Sequence, residues 1–243
     1  MNKPRRDLGA LRKSELICGL IYLPIFLFGA QYAAIWIAEL AGVDLEQAGA
    51  LGTVSLIYDA LNAAVLTAIF LRYLIDQLRP LQDRGWALFP DLILGWLTQY
   101  GLSFLASLVI SLLLASLQLE YYNLNQEAVE TVVALSPAIA IVTACVLAPL
   151  AEELLFRGLI FRGLYRRSRV RAYAVSMLAF ALAHTLGAIL GQPVGLTLVN
   201  LIVYLPAGFA LAWIYERSGT IWESIFLHAA INAVAMLLLN LQK

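Results

Sequence analysis

Charged side chains are scarce in this 243-residue sequence, where Asp, Glu, Lys and Arg together make up 13% of the residues. Soluble domains carry about a quarter. Hydrophobic residues fill 62% of the chain, and the mean hydropathy is +0.82. This composition excludes an ordinary soluble domain and predicts a membrane protein with several spans. Because the net charge is zero and no block of like charge occurs, a nucleic-acid partner is not expected.

Cysteine is also rare. Cys18 and Cys145 lie far apart, each inside an apolar stretch, which excludes a disulfide framework and a cysteine metal motif. The apolar run after the basic N-terminus is long and lacks a small-residue cleavage site, so it is interpreted as a retained first span. No internal repeat or low-complexity linker is visible, and residues 1–243 are expected to form one transmembrane domain.

Continuous apolar runs, rather than alternating ones, favour helices over a closed barrel. A helix needs about 20 apolar residues to cross a bilayer. The fold class predicted is therefore all-α, a polytopic membrane bundle of about seven helices, with the lipid bilayer as its environment. The predicted spans are 16–38, 50–75, 88–117, 133–161, 172–190, 196–215 and 220–240.

The distribution of Lys and Arg predicts the orientation, since cytoplasmic loops carry an excess of both. Alternate loops hold 15 of the 16 basic residues, and the opposite connections hold Glu and Asp instead. Seven spans with a cytoplasmic N-terminus satisfy this rule. We therefore expect a multi-pass protein of a cell membrane.

The sequence has only two histidines, His184 and His228, and both fall inside predicted spans. Ionisable groups within a membrane are costly and usually mark a functional cavity. At 1.5 Å of rise per residue, Glu152, His184 and His228 lie roughly 15, 20 and 12 Å in from the basic loops. Three different helices are thus expected to bring polar groups to one layer.

Helical spacing predicts which of these side chains share a face. Glu153 and Arg157 are four residues apart, which favours a structural ion pair along one helix. Glu152 is rotated about 100° away from them and is free to face a cavity. Pro149 removes a backbone donor just before it and can open the helix there.

The same spacing pairs His228 with Asn232 and Phe180 with His184. A carboxylate and an imidazole can hold and deprotonate a water molecule. An imidazole and a carboxamide can donate hydrogen bonds to a developing oxyanion. No Ser or Cys is paired with either histidine, so a covalent triad is not indicated. Zinc held by Glu152, His184 and His228 is the alternative, although the HExxH motif is absent.

Three motifs resemble those of the CPBP intramembrane proteases, also called the CAAX prenyl endopeptidase or Abi family. They are EExxxR at Glu152, Glu153 and Arg157, FxxxH at Phe180 and His184, and HxxxN at His228 and Asn232. The resemblance covers residues 123–240, whereas 1–122 resemble nothing in particular. The chain is shorter than the eukaryotic members and is more similar to prokaryotic ones.

The resemblance implies a metal-free glutamic endopeptidase that cuts a membrane-embedded or lipidated peptide or protein. In this scheme Glu152 and His184 activate water, while His228 and Asn232 form the oxyanion hole. Two other functions stay open: a catalytically silent scaffold that regulates a partner enzyme, and a proton-coupled transporter.

Four other polar residues lie within the spans. Asp59 and Asn62 are expected either to line the same cavity or to pair with neighbouring residues on their helices. Asn200 and Gln99 are expected to form hydrogen bonds between helices.

Overall fold

A computed structural model describes residues 7–118 and 120–241, and within these ranges the regular structure is helical, with no strand. Eight main helices occur in this described part of the chain. They are α1 (Lys13–Leu40), α2 (Ala50–Asp76), α3 (Leu88–Leu117), α4 (Leu124–Leu135), α5 (Pro137–Tyr165), α6 (Arg169–Gly191), α7 (Val194–Ser218) and α8 (Ile221–Leu241). A short helix, Leu78–Arg84, leads into α3 through the 3-10 turn Gly85–Ala87.

All of these helices except α4 are long and apolar enough to cross a membrane, which confirms the seven predicted spans. The largest difference in bounds concerns the fourth span, predicted to start at residue 133. The chain breaks at Ser136, whose backbone (φ −147°, ψ 65°) is not helical, because the residue before a proline is driven out of the helical region. Residues 133–135 therefore end α4, and Pro137 begins α5.

The centre of the bundle is α5. From Leu154 to Phe161 nearly every side chain is buried, whereas α3 leaves many large apolar side chains exposed on its surface. A helix that is apolar all round and buried lies in a core, and the exposed apolar faces of the outer helices suit contact with lipid. The site residues of α5 are therefore surrounded by protein on all sides.

Close helix packing brings α6 and α7 together beside α5. At Gly208 of α7, an added Cβ would lie 3.2 Å from the backbone Cα of Met177 in α6. A larger residue there would have to displace the α6 backbone by a few tenths of an ångström, so glycine favours this approach. It also leaves the Gly208 carbonyl oxygen within 3.2 Å of the Arg157 guanidinium, which ties α7 to α5.

Candidate active site

Two widened helical segments flank the paired glutamates of α5. Thr143–Leu147 and Leu154–Phe161 are π-helical, and the α-helical stretch Ala148–Glu153 lies between them. Such π turns are rare and often mark functional sites. In the first of them, the N–H of Ala148 bonds to the Thr143 carbonyl rather than to that of Ala144.

That shift frees a carbonyl at the site. Pro149 has no N–H to offer the Ala144 carbonyl, which instead accepts a 2.6 Å hydrogen bond from Asn232 Nδ2 of α8. The predicted opening of the helix at Pro149 thus takes the form of a π turn. Its consequence is a direct link between α5 and the HxxxN motif.

Glu153 is buried with Arg157 in the ion pair that the spacing predicted. Arg157 Nη1 lies 3.0 Å from Glu153 Oε1, and both side chains are 0% exposed. Glu153 also accepts hydrogen bonds from Ser224 Oγ and from His228 Nδ1, at 2.5 and 2.9 Å. The carboxylate is therefore satisfied by donors from two helices, as a buried charge requires.

Both imidazole rings are oriented by a bond at Nδ1. His184 Nδ1 lies 2.9 Å from the Phe180 carbonyl oxygen on the preceding turn, and His228 Nδ1 lies 2.9 Å from Glu153. Since both partners are acceptors, each Nδ1 carries the proton. Each Nε2 is consequently directed away from its anchor.

The two Nε2 atoms face Glu152. Its Oε2 atom lies 3.6 Å from His184 Nε2 and 3.9 Å from His228 Nε2. These separations are too long for hydrogen bonds, and Glu152 Oε2 is a buried oxygen with no hydrogen-bond partner in the described chain. Polar atoms spaced in this way suit a bridging water molecule or substrate group.

Aromatic rings enclose this cluster. The Phe180 ring lies 4.4 Å from His184 and 5.8 Å from His228, measured between centroids, and the Arg157 guanidinium lies 4.6 Å from its centroid on another side. Tyr204 of α7 stacks against His184 at 4.7 Å. The predicted wall of Phe180 against an imidazole is present, and the same ring separates the buried ion pair from His184.

Glu152, His184, His228 and Asn232 all line one cavity of about 510 Å³. The structure thus brings the four predicted catalytic side chains together, while their catalytic roles stay a prediction. Helix α4 covers part of this cavity, since Asn125, Gln126, Val129 and Val132 also line it. The N-terminus of α4 is fastened near the site through hydrogen bonds from Asn123 and Asn125 to the Tyr204 hydroxyl.

The other polar residues singled out in the sequence divide into two groups. Asp59 lines the cavity, whereas Asn62 packs between helices, accepting from the Tyr22 hydroxyl at 2.8 Å and donating to the Tyr58 carbonyl. Asn200 donates to Gln192 and to the carbonyl of Tyr122, in the segment that precedes α4.

The prediction that Gln99 bonds to another helix is wrong. Its Nε2 lies 3.1 Å from Ser103 Oγ, one turn along α3. Gln99 and Ser103 both line the cavity, and within the described residues the Gln99 amide bonds along its own helix.

Ser224 is a site residue that the motifs missed. It lies four residues before His228 and eight before Asn232, so a single polar stripe on α8 faces α5. That spacing was visible in the sequence. The hydrogen bond from Ser224 to Glu153, which lies 71 positions away in the chain, was not visible there.

A metal site was the alternative for the same residues. Histidines that bind a metal through Nε2 are also held by a carboxylate or a carbonyl at Nδ1. The residues that would bind zinc here are Glu152, His184 and His228. Among the described residues, no group of three Asp, Glu, His or Cys side chains has the arrangement of a metal site. Zinc stays an alternative prediction.

Comparison with known proteins finds a family model and several relatives that are similar to this chain. The family model for Rce1-like type II CAAX prenyl endopeptidases matches residues 134–234, which include every motif residue. "Putative membrane peptidase YdiL" of Bacillus subtilis is 30% identical over 115 residues, covering 47% of this chain and 42% of that protein. The UPF0177 protein YaiH of Lactococcus lactis is 36% identical over 98 residues, covering 40% of this chain and 36% of that protein.

The chain therefore spans about two fifths of the length of the curated relatives it matches. No solved structure matches it.

Proposed function

We propose that the chain is an intramembrane endopeptidase of a bacterial plasma membrane, because residues 134–234 match the family model for Rce1-like type II CAAX prenyl endopeptidases. Its substrate is a peptide or protein that lies in, or is anchored to, the bilayer. The observation that carries the proposal is the unpartnered Glu152 carboxyl oxygen, which faces two imidazole Nε2 atoms in a cavity within the bundle.

In the first step a water molecule is held between the Glu152 carboxylate and His184. Glu152 takes a proton as the water oxygen attacks the carbonyl carbon of the peptide bond, because a carboxylate can act as general base in a water-poor site. A tetrahedral intermediate with a negatively charged oxygen results.

Asn232 and His228 stabilise that oxygen. The Asn232 amide has two hydrogens, of which one is used by the Ala144 carbonyl and one is available to the cavity. His228 donates through Nε2 only as an imidazolium, since its Nδ1–H is directed to Glu153.

Glu152 then passes its proton to the leaving amine as the C–N bond breaks. The products are a new carboxyl terminus and a new amine terminus. The neutral form of His228 would instead present a lone pair at Nε2, which is the form a zinc ion would bind. Metal analysis of the purified protein, with cleavage measured after exhaustive chelation, separates the two schemes.

Comparative proteomics tests the function. Membrane peptides are compared between cells carrying the wild type, Glu152→Ala or His184→Ala, with Glu39→Ala, an exposed glutamate of α1, as the matched control. We expect the same peptides to disappear in both site variants and to persist in the control. Full cleavage in either site variant would reject the enzyme, and a phenotype that survives both would favour the scaffold.

A further inference from the structure

A second carboxyl group lies in the cavity with Glu152. Asp59, in the middle of α2, lines the cavity and interacts electrostatically with Glu152. It lies outside the segment that the family model matches. In the described part of the chain, no residue forms a hydrogen bond or ion pair with it. A carboxyl group at this depth is costly unless a partner satisfies it.

The rest of the cavity wall does not supply that partner. Among the described residues that line it, Asp59 and Glu152 are the acidic ones, and none is Lys or Arg. The nearby Arg157 does not line the cavity, since it is paired with Glu153 and covered by the Phe180 ring. Apart from the His228 imidazolium of the proposed mechanism, the described wall of the cavity has no cation to compensate its two carboxyl groups.

The hydrogen-bond acceptors of the cavity also favour a cationic ligand. Glu152 Oε2 and Gln99 Oε1 are buried acceptors without a partner, and Gln99 lines the wall contributed by α3. Buried acceptors that stay unpaired destabilise a structure, so they favour a ligand that brings donors. A lysine ammonium or an arginine guanidinium carries only donors.

We propose that Asp59 binds a basic side chain of the substrate, so that the protein cuts peptides bearing Lys or Arg close to the scissile bond. This proposal rests on the proposed function for the cleavage step. Asp59 and Glu152 line the same cavity, so the basic residue lies close to the bond that is cut.

Library profiling tests the proposal on the full chain in detergent. Wild type, Asp59→Asn and Asp76→Asn digest a proteome-derived peptide library, and the cut sites are identified by mass spectrometry. Asp76 is the matched control, because it lies on the same helix in a half-exposed pair with Arg72. We expect Lys and Arg to be enriched about tenfold near the cut in the wild type and in Asp76→Asn, which corresponds to 1.4 kcal/mol. The enrichment should vanish in Asp59→Asn.

A binding measurement tests the role of Asp59 independently of cleavage. In Glu152→Gln protein, a fluorescent alanine–leucine peptide with one lysine should bind about tenfold more tightly than its norleucine analogue. Glu152→Gln/Asp59→Asn should bind the two alike. The role of Asp59 would be overturned if Glu152→Gln bound the lysine peptide and its norleucine analogue equally, or if Asp59→Asn kept the wild-type preference for Lys and Arg. If Glu152→Gln binds the lysine peptide selectively but the wild type cuts no peptide, the endopeptidase is refuted and the binding role of Asp59 remains.

Discussion

The buried pair of Glu153 and Arg157 provides a stability test with a defined magnitude. Glu153→Gln keeps the size and shape of the side chain but removes its charge. Arg157, 0% exposed, would then be a buried cation without a carboxylate. Breaking a buried ion pair by removing one partner costs about 3–5 kcal/mol.

A double variant separates the charge from the packing. In Glu153→Gln/Arg157→Met neither charge remains, and replacing a whole buried pair is often close to neutral. We therefore expect the double variant to recover at least about 2 kcal/mol of the loss in the single one.

Equilibrium unfolding in mixed micelles, followed by circular dichroism, measures both effects. Glu46→Gln, at an exposed position between α1 and α2, is the matched control and should unfold like the wild type. If Glu153→Gln matched that control, or if the double variant were less stable than the single one, the ion pair would not have the structural role described.

Three further changes test the packing, by the same unfolding measurement. Gly208→Ala places a methyl group against the backbone of α6 and should cost about 1–3 kcal/mol, whereas Gly101→Ala, which meets no atom within 4 Å, should not destabilise. Ser224→Ala removes a bond to a buried carboxylate and should cost about 1.5–3 kcal/mol. Arg84→Met withdraws the guanidinium that binds buried Glu223 and should cost about 2–4 kcal/mol. Wild-type stability of Gly208→Ala, Ser224→Ala or Arg84→Met would contradict the contact that the variant tests.

Hydropathy was sufficient to predict the seven spans, because each span must bury its backbone within its own helix and present apolar side chains to lipid. The break at Ser136 was less visible, since the hydrophobic pattern runs through it. Its only local sign is Pro137, and a proline can also be accommodated inside a helix, as Pro206 is in α7.

The motif spacing predicted which side chains share a helix face, and the structure directs the Phe180/His184 and His228/Asn232 faces to one cavity. It did not predict the second contact of Glu153, with His228, because i, i+4 spacing reports only neighbours on the same helix. The π turns also escaped prediction. In the first of them, the freed Ala144 carbonyl bonds to Asn232, which lies 88 residues away in the chain.

The central claim is that Glu152 activates water to break a peptide bond. Its most direct test uses wild type and Glu152→Gln, each reconstituted in liposomes with one membrane peptide that the wild type is found to cut, after circular dichroism has shown that both are folded. Mass spectrometry then measures the appearance of the new termini. The account predicts that both termini form with the wild type and that neither forms with Glu152→Gln. Equal rates of formation with the two proteins would contradict it.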